Sequence, residues 1–282
     1  MAVEKRLRHK PRPTDKVVVL ARGLGTRMQR PDPQAVLDPR QAAVAETGLK
    51  GMIPLDRPFL DYTLTALADA GYRRVLLVVA PEHDSVREYY SQQSPPRRLD
   101  IELAVQAEPR GTADAVLAAQ GFAGSDPFLV INADNYYPLD ALRGLRTRQG
   151  PAVALFDREA MIAQGNIPAE RVLEFAVARI DAQGFLVEII EKPDAQTLAA
   201  LPEPVWVSMN CWRFDETIFE ACRQVAPSPR GELELPDAVQ YAIDQLGQEF
   251  RAVTVRAAVL DLTCRRDIKP AAERLAGKEV NY

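Results

Sequence analysis

The sequence predicts an α/β fold, with a mostly parallel, Rossmann-like central sheet flanked by helices and an α+β second half. Three observations predict it. Short apolar runs recur without polar alternation, as in strands buried on both faces. Helix-period segments separate these runs and give a β-α-β rhythm. After Pro151 the rhythm changes, and strands follow one another with few long helices between them.

Lys16 to Ala21 is a β-branched run leading into Gly23 and Gly25, a buried strand entering a turn. Residues 58 to 70 put Leu60, Leu64 and Leu67 on one helical face, and Gly71 stops that helix. Arg74 to Ala80 reads as the second strand, Pro81 to Tyr90 as a helix, Ile101 to Val105 as the third strand and Thr112 to Gln120 as a helix. Phe128 to Asn132 closes the first half as a fourth strand. In the second half, Ala152 to Phe156, Val172 to Ile180, Phe185 to Ile190 and Val205 to Phe214 read as strands. Helices follow at Glu216 to Gln224 and Pro236 to Leu246, then a strand at Ala252 to Leu260 and a last helix from Arg266 to Ala276.

The domain reading is a flexible basic tail over 1–15 and a single domain over 16–282, with halves at 16–150 and 151–282. With 282 residues, 47% hydrophobic and 26% charged, the chain has ordinary globular composition and enough length for a substantial core. A formal net charge of -4 argues against nucleic acid as a partner. The apolar runs fall short of the roughly 20 residues that span a bilayer, and the basic start lacks an apolar stretch behind it. Three widely spaced cysteines suggest neither a disulfide framework nor a zinc knuckle, so the expected location is cytoplasmic. The only histidines are His9 and His83, too few for a histidine-rich metal site or a Ser-His-Asp triad. His83 reads as a solvated residue at a helix start.

Gly23, Gly25 and Thr26 directly follow the first strand, where backbone N–H groups can turn onto an anion. The dinucleotide fingerprint fails, because Met28 stands where its third glycine belongs. The Walker pattern fails as well. Taken alone, the segment also reads as a tight strand-to-loop turn without ligand.

Further segments change the weighing. The loop Gly23-Leu24-Gly25-Thr26-Arg27 is followed by Lys50-Gly51-Met52-Ile53-Pro54, by Gln106 with Gly111-Thr112, by Asp134 after a strand, by Glu191-Lys192-Pro193 and by a late Asp261. In this order and over residues 16 to about 268, the chain resembles the sugar-1-phosphate nucleotidylyltransferases. Within that family it is similar to the glucose-1-phosphate thymidylyl- and uridylyltransferases and to the pyrophosphorylase half of N-acetylglucosamine-1-phosphate uridylyltransferase.

The resemblance implies roles residue by residue. Leu20, Ala21, Arg22, Gly23, Gly25, Thr26, Gln106, Gly111 and Thr112 fall at nucleotide-binding positions, with Gln106 pairing a base edge and Gly111 letting the base approach the backbone. Arg27 and Lys50 fall at catalytic positions as clamps on the β- and γ-phosphates. Asp134 is a catalytic residue and, with Asp261, a ligand for Mg2+. Ala176, Glu191, Lys192 and Asn210 fall at sugar-phosphate positions, and Lys192 is also at a catalytic position, where it shields the two phosphates as they approach.

Each has a plainer reading. Asp134 is otherwise a turn residue, Arg27 and Lys50 solvated charges, and Gln106 a strand end.

The chain departs from the family pattern in places. Arg22 stands where Gly or Ala is usual, and it either contacts the base or points to solvent. Ala176 and Trp212 replace glycines in the sugar half, and Trp212 is either a core residue or a stacking platform. Thr263-Cys264 replaces Gly-Thr after Asp261. The segment Pro31 to Leu49 is long for the family, and it forms either a short helix lidding the nucleotide or a surface insertion.

The implied activity is Mg2+-dependent transfer of a nucleotidyl group from a nucleoside triphosphate, UTP or dTTP favoured, to a sugar 1-phosphate. Ala176 and Trp212 are expected to disfavour a 2-acetamido sugar. A homo-oligomer is possible on this reading, and the chain's stop at Tyr282 suggests that the β-helix domain of some relatives is absent. The alternatives are a metal-dependent glycosyltransferase and a catalytically weakened nucleotide-sugar sensor.

Overall fold

The structure, a computed structural model, describes residues 13–282 apart from the side chains of 172–174. Most of the expected basic tail therefore lies outside the described residues. The strands are β1 (Lys16–Leu20), β2 (Arg74–Val79), β3 (Asp100–Val105), β4 (Phe128–Asn132), β5 (Asn135–Tyr136), β6 (Ala152–Asp157), β7 (Ala176–Ile180), β8 (Leu186–Ile190), β9 (Trp206–Phe214), β10 (Arg251–Val255) and β11 (Leu260–Asp261). The main sheet runs in the order β10-β6-β9-β4-β1-β2-β3. β4, β1, β2 and β3 are parallel neighbours, whereas β9 runs antiparallel between β4 and β6. The hairpin β7-β8 hangs on the first residues of β9.

The helices of the first half are α1 (Thr26–Gln29), α2 (Pro39–Thr47), α3 (Phe59–Ala70), α4 (Asp84–Glu88), α5 (Thr112–Leu117), α6 (Gln120–Ala123) and α7 (Leu139–Thr147). Those of the second half are α8 (Arg158–Gln164), α9 (Ala195–Ala200), α10 (Thr217–Gln224), α11 (Leu235–Asp244) and α12 (Ile268–Leu275). The triple valine of β1 shows why the sheet is covered on both sides. Val17 and Val19 enter one apolar cluster with Leu64 of α3 and Leu142 of α7, while Val18 enters another with Val116 of α5, Ala221 of α10 and Val239 of α11. Side chains alternate along a strand, so an unbroken apolar run demands a core on each face. Full burial of such a side chain stabilises by about 1.5–3 kcal/mol.

Several local expectations change. The predicted strand from Val172 begins at Ala176, because Ala169–Glu174 coils into 3-10 turns after Pro168. The predicted strand from Ala252 to Leu260 breaks after Val255, and Leu260–Asp261 pairs instead with Asn135–Tyr136. The helix expected from Thr112 to Gln120 divides into α5 and α6, and α1, α7, α8 and α9 form where the sequence predicts no helix. His83 is buried rather than solvated, and its Nδ1 accepts the Ala80 N–H at 3.2 Å.

The topology fixes the site. The chain leaves β1 toward β2 and β3, then returns to β4 on the opposite side of β1. In open α/β sheets a crevice opens beyond the carboxyl ends of strands at such a reversal. Leu20 and Asn132 end their strands in register, and Ala133 N–H donates to Leu20 C=O at 3.1 Å. The glycine loop and Asp134 thus emerge side by side.

Candidate active site

Gly25 takes a left-handed conformation (φ 61), and a Cβ there would lie 2.2 Å from the Gly48 carbonyl. Gly48 (φ 78) would reciprocally meet the Leu24 carbonyl at 2.3 Å. Two glycines let the loop and the end of the 31–49 segment cross backbone to backbone. That segment contains α2, capped by an Asp38–Gln41 capping box and started at Pro39. α2 contributes no wall to the cavities described below, whereas Gly48, Leu49 and Lys50 behind it do. The lid expectation for this helix is therefore not met; its end is docked on the loop and leads directly into Lys50.

Lys50 Nζ donates to Asp134 Oδ2. Burial opposes the lysine's charge, but Asp134 and then Asp261 outweigh it and hold its pKa above the ordinary value. Asp261 is buried opposite Asn135 in the β5-β11 pair. Its carboxylate accepts from Asn135 Nδ2 at 2.9 Å, Thr263 Oγ1 at 2.6 Å and Arg171 Nη2 at 3.0 Å. Burial, and next the Asp134 charge, pushes Asp261 up to about 6. Two hard carboxylates facing one cavity, of which buried Asp261 is costly to ionise, suit a divalent cation such as Mg2+. Lys50 and Arg171 supply positive charge at the same two carboxylates. Arg171 also binds Asp267 and so ties the 169–174 turn to the segment after β11.

The first cavity, about 390 Å³, lies between the glycine loop after β1 and the residues that follow β3, with Leu20, Ala21, Gly23, Gln106, Gly111 and Thr112 in its wall. Gln106 is buried, and its Nε2 donates to Gly111 C=O at 3.0 Å and Asp114 Oδ2 at 2.8 Å. Only its Oε1 remains to meet a ligand. Gly111 (φ 114) is needed for a reason the sequence did not show, because a Cβ would lie 2.4 Å from Leu233 C=O. Thr112 Oγ1 accepts the Leu235 N–H at 2.8 Å, so this turn is fastened to the first residue of α11. Arg22 also lines the cavity but is only 7% exposed, which excludes the solvent-facing alternative.

The second cavity, about 330 Å³, holds Ala176, Glu191 and Asn210 in its wall with Arg27 and Asp261. Between the Val153–Trp212 and Leu155–Ser208 pairs, β9 carries two residues more than β6, and this bulge contains Asn210. Asn210 adopts φ 51 there, a re-aimed position that Asn tolerates better than most residues. Trp212 Nε1 donates to Asn210 Oδ1 at 3.3 Å. The indole itself is fully buried, stacked on Phe214 at 5.8 Å between ring centres and set edge-on to Phe250. The stacking-platform alternative is thus excluded, and the argument that Trp212 narrows the sugar site falls; the Ala176 methyl alone remains. Lys192 (φ 45) is exposed beside Glu191 and outside the cavity wall.

The two cavities share Gly25, Thr26, Lys50, Asn132 and Asp134. Tyr137, which no motif marks, donates to Met209 C=O in the β9 bulge at 2.7 Å and also contacts Asn135 Oδ1 at 3.3 Å. It joins the sugar-side bulge to the residue that holds Asp261. Arg171 was equally invisible in the sequence, since its partners lie 90 and 96 residues away.

Known proteins share this architecture. The chain is 30% identical over 244 residues to a glucose-1-phosphate thymidylyltransferase of Streptomyces griseus, a match covering 85% of this chain and 60% of that protein. It is 27% identical over 262 residues to the UTP–glucose-1-phosphate uridylyltransferase AglF of Haloferax volcanii, covering 92% of this chain and 95% of that protein. The fold matches a crystal structure of UDP-glucose pyrophosphorylase complexed with UDP-glucose, with a TM-score of 0.73 at 20% identity over 94% of this chain and 100% of that one. The nucleotidyl transferase family model matches residues 45–258, which hold every strand of the main sheet except β1, and the chain belongs to that family of enzymes.

Proposed function

We propose that this enzyme transfers a nucleotidyl group from a nucleoside triphosphate, with UTP or dTTP preferred, to a sugar 1-phosphate and releases pyrophosphate. One observation carries the reading: the nucleotide-side and sugar-side cavities meet at Lys50 and Asp134. Two phosphates bound from either side would face each other across that wall. The names of the relatives, a thymidylyltransferase and a uridylyltransferase, support the same reaction and favour neither a glycosyltransferase nor a sensor.

In the reaction, an oxygen of the sugar phosphate attacks the α-phosphorus in line, and the bond to the pyrophosphate oxygen breaks. A phosphate monoester is already ionised, so no protein base or nucleophile is required. The residues position and neutralise. Arg27 and Lys50 hold charge on the departing pyrophosphate, with Lys50 exchanging Asp134 for a phosphate oxygen. Gln106 orients the base, Glu191 and Asn210 hold sugar hydroxyls, and Lys192 closes on the sugar phosphate. Mg2+, when bound at Asp134 and Asp261, supplies further charge neutralisation on the triphosphate.

Among the described residues no helix is long and apolar enough to cross a membrane. A cytoplasmic location fits the free thiols of Cys211, Cys222 and Cys264.

The test is a matrix of five nucleoside triphosphates against several sugar 1-phosphates with Mg2+, read by pyrophosphate release. Release that requires both substrates supports the reading, and no release from any pair overturns it.

A further inference from the structure

Arg22 is the one departure from the family pattern inside the nucleotide half that carries a charge, and its surroundings are unusual. Only 7% of the residue is exposed, yet Nε and Nη1 are buried without a hydrogen-bond partner. Among the described residues no carboxylate forms an ion pair with it. The nearby histidine cannot serve: His83 Nδ1 already accepts the Ala80 N–H, so in the neutral ring the other nitrogen carries the proton. Burial, with Arg22's charge adding to it against the pull of Glu82, keeps His83 below its usual pKa. A buried guanidinium with idle donors is costly unless an acceptor arrives. Arg22 lines the nucleotide cavity, so the acceptor would come with the ligand.

We infer that Arg22 is a specificity-determining residue that donates to a carbonyl oxygen of the nucleobase. The inference rests on the nucleotidyl-transfer reading and deepens it. Gln106 supplies the other half of the recognition. Both donors of its amide are bound to Gly111 and Asp114, leaving Oε1 as an acceptor. An acceptor beside a donor matches a ring N–H flanked by carbonyls, the imide edge of uracil and thymine. Cytosine places an unprotonated N3 against Oε1 and is rejected. Adenine lacks a carbonyl altogether. The arginine also fills volume that glycine or alanine would leave open, which disfavours the larger guanine.

The experiment measures equilibrium binding of UTP, dTTP, CTP, ATP and GTP, and of pyrophosphate alone, to the full chain and to Arg22→Gly and Arg22→Lys. The glycine variant carries the residue usual in the family. Loss of a charge-assisted hydrogen bond predicts a roughly 10- to 100-fold weakening for UTP and dTTP, collapse of the UTP-over-CTP ratio and little change for pyrophosphate. A second arm uses 2-thio- and 4-thio-UTP, whose sulfur is the weaker acceptor. One of them should bind less tightly than UTP to the wild type but not to Arg22→Gly. Unchanged UTP affinity and an unchanged UTP-over-CTP ratio in Arg22→Gly, or two thio analogues that bind the wild type like UTP, overturn the inference. A wild type that binds UTP but releases no pyrophosphate with any sugar 1-phosphate overturns the reaction and leaves base reading by Arg22 standing on the binding data. Failure of the wild type to bind any triphosphate removes both.

Discussion

The Lys50 ammonium donates directly to the Asp134 carboxylate, and this ion pair sits in the wall common to both cavities. On the proposed reaction, Lys50 and Asp134 part so that a phosphate takes the one and a cation the other. Asp134→Asn is expected to keep its fold by circular dichroism and lose about 10²- to 10³-fold in kcat, because a neutral amide replaces charge needed at the reacting phosphates. Lys50→Ala should weaken triphosphate binding and turnover together. Near wild-type rates for Asp134→Asn at saturating Mg2+ would remove Asp134 from the reaction.

Arg171 neutralises Asp261 and Asp267 at once from a side chain 15% exposed. Arg171→Ala leaves two nearly buried carboxylates without it and should cost somewhat less than the ~3–5 kcal/mol of a fully buried pair. Mg2+ should restore part of the lost melting temperature, more than it adds to the wild type, if the cation binds at Asp261. A thermal-shift titration checks both; equal Mg2+ responses in the two proteins would argue that the ion binds elsewhere.

Trp212 supports Asn210 from the core. Trp212→Phe removes the Nε1 donor, and the expected result is a higher KM for sugar 1-phosphate with the triphosphate KM unchanged. Ala176→Gly should raise use of a 2-acetamido sugar 1-phosphate relative to glucose 1-phosphate, since that methyl is the remaining steric element in the cavity wall. Steady-state kinetics with both acceptors decide; an unaltered acceptor ratio in Ala176→Gly would show that sugar size is set elsewhere.

Asp61 is fully buried and accepts from Tyr89 at 2.8 Å and Tyr90 at 3.0 Å. Burial raises its pKa even though these hydroxyls pull it down. The folded state thus keeps a proton that the unfolded chain releases near pH ~3.9, so this contribution to stability is fully present below that pH and is lost as pH rises through the folded value. Asp61→Asn should cost about 1–3 kcal/mol. Chemical denaturation from about pH 4 to pH 7 should find that cost largest at the acid end. A cost that grows toward neutral pH would contradict the direction of the shift.

The legible parts of the molecule were those encoded locally. The unbroken valines of β1, the glycine loop, and Lys50, Gln106 and Asp134 at their spacings announce themselves in short windows. What stayed hidden depends on distant packing. Val172 to Glu174 has strand-like residues, yet these coil ahead of β7, in the turn from which Arg171 reaches Asp261. Likewise Asp261 ends not a long strand but a two-residue pairing with β5, whose Asn135 lies 126 positions away from it. A tryptophan in a sugar-side motif could not reveal which way its ring turned, because Phe214 and Phe250 decide that.

The contact between Gly25 and Gly48 gives residues 26 to 47 the character of a noose drawn tight at its neck. Whatever length the chain spends inside the noose, it must come back to the same point before Lys50 is reached. Residues can therefore be added or removed around Pro31 to Leu37 without shifting the lysine. A single methyl at either neck residue, by contrast, would force the two strands of the noose apart and carry Lys50 away from Asp134.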